Sequence, residues 1–160
     1  MAITITATVG SASANSYITL SDANSIVEGL ILDDDVSAWD GSSTDNKNRA
    51  LYTAAQRIDR ERFLGARVSD TQALQWPRSG VRKPDTYTNA QVVLAVFLNN
   101  NRDGLGLSGL EDFSNVSIGS LNVTPNFYGA VGADRIPPLV ERYLSGIRIS
   151  GPGNISIRRS

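Results

Sequence analysis

Apolar residues recur along this chain with two different periods, and the change from one to the other marks out its elements. The opening stretch ITITATVG, residues 3–10, alternates β-branched with small residues and stops at a glycine. That twofold repeat belongs to an extended chain, so it predicts a short strand or an extended arm. From residue 20 the period changes. Ala23, Ile26, Val27, Leu30 and Ile31 follow one another at helical spacing. Thr19 with Asp22 three residues later forms a capping box in which Asp replaces the usual Glu. A first helix is therefore expected over residues 20–31. The stretch DDDVSAWDGSSTDN, 33–46, reads as a polar loop with one large apolar anchor, Trp39.

A second helix is expected over 46–64. Leu51, Ala54, Ala55, Ile58 and Arg62 share one face, Arg49, Arg57, Arg60 and Glu61 suit solvent, and Gly65 provides a stop. Residues 66–88 are irregular. A third helix, 89–101, is apolar nearly all round from Val92 to Leu98, and such a helix is buried on most of its sides. Val116, Ile118, Leu121 and Val123 alternate around Gly119-Ser120, the pattern of a hairpin. Pro137-Pro138 opens a short helix, where a missing N–H costs nothing, with Leu139, Val140, Tyr143 and Leu144 facing inward. The stretch from Arg148 onward contains Gly151-Pro152-Gly153, which cannot be helical, and then ISIRR, a candidate strand. These elements predict a mainly α fold: a small bundle of about four helices with a short β-hairpin and extended N- and C-terminal arms. One helical domain is expected over 1–145, with an extension over 146–160.

Composition narrows the chemistry. The 160 residues include no cysteine and no histidine. Disulfides, thiolate nucleophiles and zinc–sulfur sites are thereby excluded from the chain alone, as are Ser-His-Asp catalysis and two-His metal sites. Only carboxylates and two lysines, Lys47 and Lys83, are left for acid–base work. The expectation is a protein that is not an enzyme and needs no cofactor or metal. The start lacks the basic n-region and apolar core of a signal peptide, and the longest apolar run, 92–98, falls short of a membrane span.

Charge is strongly segregated. Residues 1–45 contain seven acidic residues and no Lys or Arg; residues 46–160 contain fifteen basic and nine acidic residues, so the net charge is only −1. Such a split can hold copies of one chain together or present a basic end to an acidic partner.

Several motifs fail on their context. GLGLSG, 104–109, matches a nucleotide fingerprint, but a helix precedes it and a strand pair follows, the reverse of what phosphate binding needs. The Asp33-Asp34-Asp35 run lacks the glycine and glutamate of a calcium loop. Asp59 with Glu61 and Glu111 with Asp112 are carboxylate pairs that nothing in their spacing marks as catalytic; ion pairs with the many arginines are their default role. Residues 57–83 are locally basic and include Phe63 and Trp76, a combination that could stack and neutralise single-stranded nucleic acid. LQWPRSGV, 74–81, is the most distinctive stretch. Proline forces Trp76 out of the helical region, so Trp76, Pro77, Arg78 and Gly80 are read as a structural corner, with Arg78 either ion-paired or contacting another copy.

ANSYITLSDANSIVEGL, a Trp in the following loop, NRALYTAAQRIDRERFLG and TQALQWPRSGV occur in that order, and together they resemble the head–tail adaptor (connector, head-completion) proteins of tailed phages. Some members of that family are labelled DnaT-like single-stranded-DNA-binding proteins. The resemblance covers residues 10–82 closely and the VSIGSLNVTPNF and IPPLVERYLSGI stretches more loosely. It implies a structural virion protein made in the host cytoplasm, assembled twelve to a ring at the head–tail junction. Copies of itself, the portal protein, and tail or nozzle proteins would be its partners, and DNA would pass through the channel without sequence-specific contact. Membranes would play no part. In such proteins the C-terminal tail reaches the portal; here Ile147, Ile149, Ile155 and Ile157 would be its apolar anchors, and Arg148, Arg158 and Arg159 its charged contacts. The alternative is a single-stranded-DNA-binding protein.

Overall fold

The computed structural model describes residues 3–30, 33–81, 86–100, 116–118, 121–123 and 136–149. Among them are five helices: α1 (Leu20–Leu30), α2 (Asp33–Asp40), α3 (Thr44–Asp59), α4 (Thr86–Asn100) and α5 (Pro138–Leu144). Two antiparallel strand pairs accompany them: β1 (Ala66–Arg67) with β2 (Arg78–Ser79), and β3 (Val116–Ile118) with β4 (Leu121–Val123). The fold is mainly α, as the periodicity predicts.

α4 is the centre of the bundle. α1, α2, α3 and α5 all pack against it, and Ala90 through Val96 are all buried. The all-round apolar character of this helix is thus explained by neighbours on every side. Half of the Thr19–Asp22 capping box forms: the Thr19 hydroxyl accepts from the Asp22 N–H (3.2 Å), while the Asp22 carboxylate accepts from that hydroxyl (2.8 Å) and not from the Thr19 backbone. The β3–β4 hairpin pairs Ile118 with Leu121 across Gly119-Ser120, the loop the alternation marks.

Four local expectations change. The polar stretch after α1 is a helix, α2. Trp39 in its last turn anchors it. Trp39 is fully buried, with its Nε1 donating to Asn24 Oδ1 at 2.9 Å and Lys47 Nζ 5.6 Å from its ring centroid. α3 starts two residues earlier than expected because Ser43 caps it, its hydroxyl accepting from the Asn46 N–H. It stops at Asp59 rather than 64, so Arg62 is exposed instead of inward. Phe63, left out of the helix, turns into the core at 3 % exposure. On α5, Val140 and Leu144 are buried as expected, but Leu139 is exposed.

Both arms lie against the domain in their described parts. The N-terminal stretch is tied down by Asn15 and Asn48. Asn15 accepts from the Thr6 N–H (2.8 Å) and donates to Thr4 O (2.9 Å), and Asn48 donates to Ile3 O (2.9 Å). Beyond α5 the chain turns at Gly146 and lays residues 147–149 antiparallel beside 62–64, with Leu64 N–H donating to Ile147 O and Ile149 N–H donating to Arg62 O. Packing therefore runs on to Ile149, past the expected domain limit at 145.

Candidate functional site

Everything distinctive in the sequence converges on one place, the corner where LQWPRSGV meets ANSY and the end of α3. Trp76 is 4 % exposed. Its ring stacks on Tyr87 of α4 (4.7 Å between centroids, 10° between planes) and meets Phe63 edge-on (5.5 Å, 68°). Tyr17 joins the cluster through an edge-on contact with Tyr87 (5.1 Å). The Trp76–Pro77 peptide bond is cis.

Polar groups lock this cluster in place. Among the described residues Arg78 is ion-paired to no acid. Its guanidinium instead donates to three backbone carbonyls of the segment that leads into β1: Leu64 O (2.8 Å), Gly65 O (2.6 Å) and Phe63 O (3.3 Å). It also donates to Gln75 Oε1 (2.8 Å). A planar fork of five donors suits such a task, since several carbonyls at fixed spacing can be satisfied at once. Gln72, 3 % exposed, braces the other side by donating to Leu74 O and Pro77 O and accepting from the Ser69 N–H. Gly65 has φ +73°, and a Cβ there would lie 2.1 Å from Ser79 O. Only glycine allows β1 and β2 to approach so closely. Gly80, at φ +78°, makes the turn after β2.

The ANSY segment is equally structural. Tyr17 OH donates to Asp59 Oδ1, and the same carboxylate oxygen accepts the Gln75 N–H (2.7 Å). Burial drives the Tyr17 phenol far above its usual pKa, and the Asp59 charge and hydrogen bond push it further in the same direction. Tyr17 therefore stays a neutral donor. Gln91, fully buried in α4, accepts from the Tyr17 N–H (3.0 Å) and donates to Ser16 Oγ (2.7 Å) and Leu51 O (2.8 Å). One amide thus ties the N-terminal segment, α3 and α4 together. Sequence reasoning named Asp59 only as half of a carboxylate pair with Glu61 and passed over Gln91; a glutamine directly before the seven-residue apolar run 92–98 is the signal that could have drawn attention to it.

Among the described residues the hollow at the corner is too small for a ligand. The hollow between the N-terminal arm and Trp76 measures about 10 Å³, which is at most one water molecule. Phe63 and Trp76, the rings interleaved with arginines in the basic stretch, point into the core and not to solvent. Of the candidate carboxylates, Asp59 is engaged by Tyr17 and Gln75, and Glu61 pairs with Arg148 at 3.2 Å. Glu111, Asp112 and the GLGLSG stretch lie outside the described residues. Among the described residues no three acidic groups gather to hold a metal, and no helix is long and apolar enough to cross a membrane.

The expected docking tail divides in two. Ile147 is fully buried and belongs to the core of its own domain. Arg148 is engaged within the chain, by Glu61 and by Glu141 at 3.9 Å. Ile149 is 48 % exposed. Ile155, Ile157, Arg158 and Arg159 lie outside the described residues.

Neither a curated protein nor a solved structure matches this chain. A family model does, over residues 1–124, the span that contains the ANSY segment, α3 and the whole Trp-Pro-Arg corner. With more than half of its length matched, the chain belongs to the family described as "Putative DnaT-like ssDNA binding protein".

Proposed function

We propose that this chain is a structural subunit that works by assembly, as a ring-forming connector between the portal of a phage head and the tail. One observation carries the choice between this reading and DNA binding. Proteins that grip single strands present aromatic rings beside basic residues so that bases can stack. Here the two rings set among the arginines, Phe63 and Trp76, pack against each other inside the domain. The unusual polar residues of the family signature are committed to backbone carbonyls and buried partners, which is work that stabilises a scaffold. Charge is segregated along the sequence, as it can be in a self-assembling subunit. Its portal contact begins at Ile149 and continues into residues 150–160.

The second reading, single-stranded-DNA binding, is favoured by the description of the family and by the exposed Arg62 and Arg67 near the corner. Fluorescence anisotropy with a labelled oligothymidine at physiological salt separates the two. The connector reading expects no saturable binding up to about 10 µM, the regime of non-specific association. Sub-micromolar affinity that weakens steeply with salt supports the second reading and overturns the first. Co-sedimentation with the portal of the same genome tests the connector reading from the other side.

A further inference from the structure

Among the described residues the buried donors are nearly all paired. The Trp39 indole donates to Asn24 Oδ1 at 2.9 Å, and the amides of Gln72 and Gln91 donate to two acceptors each. Two buried side-chain atoms break the pattern, Asn48 Oδ1 and Trp76 Nε1. Of these two residues, only Trp76 lines the hollow beneath the N-terminal arm. An indole nitrogen donates and cannot accept, so its partner has to bring a lone pair. A buried N–H with no acceptor carries the full cost of leaving water.

The hollow suits one small partner. Its volume of about 10 Å³ is the space a single water needs and too little for a larger ligand. Leu74, Trp76 and Tyr87 wall it on the domain side, and residues 7–11 wall it on the arm side. The arm brings acceptors. Thr8 O takes the Ser11 N–H, but among the described residues no backbone N–H donates to the carbonyls of Ala7, Val9 or Gly10. A cavity stays dry when its lining is apolar; one with a buried donor on one wall and peptide carbonyls on the other holds water. Direct contact between arm and corner is sparse here. Ser11 O accepts from the Ala73 N–H at 3.1 Å, and a Cβ on Gly10 would lie 4.0 Å from the Pro77 ring.

We infer that this hollow is a binding site for one ordered water, which accepts from Trp76 Nε1 and donates to a carbonyl of residues 7–10. The water does for Trp76 what Asn24 does for Trp39. It also gives the corner a second task. The ring that stacks on Tyr87 fixes the core, and its N–H, through the water, fixes the N-terminal arm. Arm and corner then form one hydrogen-bonded unit, with Val9, 70 % exposed, held at the surface beside it. The site is a property of the folded chain and stands apart from the choice of partner.

A high-resolution crystal structure of the full chain is expected to show one water about 2.7–3.2 Å from Trp76 Nε1, the span of an N–H···O bond. In solution, the Trp76 indole N–H of the 15N-labelled chain, assigned by its loss in Trp76→Phe, should give a cross-peak to water with the sign of a bound molecule. That cross-peak should survive Thr8→Val and Ser11→Ala, which remove the arm hydroxyls that could relay it. Nε1 bonded directly to a protein oxygen in the crystal, a hollow without density, or an indole lacking the water cross-peak would each overturn the site. Loss of the cross-peak in either hydroxyl variant would make a side chain the partner and overturn it as well.

Discussion

Replacing Trp76 with alanine should cost about 4 kcal/mol, within the range for truncating a buried Trp or Phe. The geometry sets that figure near the middle of the range. Trp76 is 4 % exposed and in contact with two rings, stacked on Tyr87 and edge-on to Phe63. Each such pair adds about 0.5–1.5 kcal/mol beyond area burial, which argues for a large loss. Against this, Nε1 bonds to no protein acceptor among the described residues, so truncation strands no acceptor there. For a domain of this length the change should lower the melting temperature by roughly 8–16 °C, at about 2–4 °C per kcal/mol. Trp76→Phe separates the two effects. It keeps most of the ring contacts and discards that donor, so its cost should stay below about 1.5 kcal/mol. Urea denaturation followed by circular dichroism at 222 nm reads both variants; tryptophan fluorescence is unsuitable because Trp39 contributes as well. A Trp76→Ala protein with an unchanged midpoint would refute the corner as a core element. If that stable variant also failed to assemble, Trp76 would belong to an interface.

Other consequences follow from the same contacts. Arg78→Lys keeps the charge but cannot reach three carbonyls and Gln75 at once, and chemical denaturation should show a loss of about 2 kcal/mol, the scale of one or two charge-assisted hydrogen bonds. The Tyr17 pKa is raised in the folded state, so its stabilisation is complete below the ordinary tyrosine value of 10.0 and is lost as pH rises above it, where the unfolded chain ionises and the folded one does not. Melting temperatures measured above pH 10.0 should therefore fall more steeply for the parent than for Tyr17→Phe, which starts lower because a charge-assisted bond is gone. Truncation after Ile149 should leave the melting temperature unchanged, whereas truncation after Ser145 removes fully buried Ile147 and should cost about 2–5 kcal/mol.

The helices were legible because each carries its own period. α1, α3 and α4 could be placed from apolar spacing, and the Thr19–Asp22 cap and the β3–β4 turn from local chemistry alone. α2 was not legible, because an eight-residue helix with three aspartates and one tryptophan has almost no periodic signal; its stability comes from Trp39 packing and the Asn24 bond, both tertiary. The early end of α3 was hidden for a similar reason. Residues 60–64 have ordinary helix propensity, and only the demand for Phe63 beside Trp76 and for the 62–64 pairing with 147–149 pulls them out. The same pairing hid the role of Ile147, which reads as tail in a linear pattern and becomes core only when the chain returns to α3. Trp76 as a corner could be argued from proline sterics. The Arg78 clamp could not, since apart from Gln75 its partners are backbone carbonyls, which leave no trace in sequence.

The central claim, that the chain acts by docking into a ring on a portal, is tested most directly by mixing it with the assembled portal of the same genome and imaging the product by electron microscopy. An added ring coaxial with the portal is expected, lost when the chain is truncated after Ile149 while that truncated chain keeps its fold. A portal left bare by the full-length chain, with the chain instead bound to single-stranded DNA under the same conditions, would contradict it.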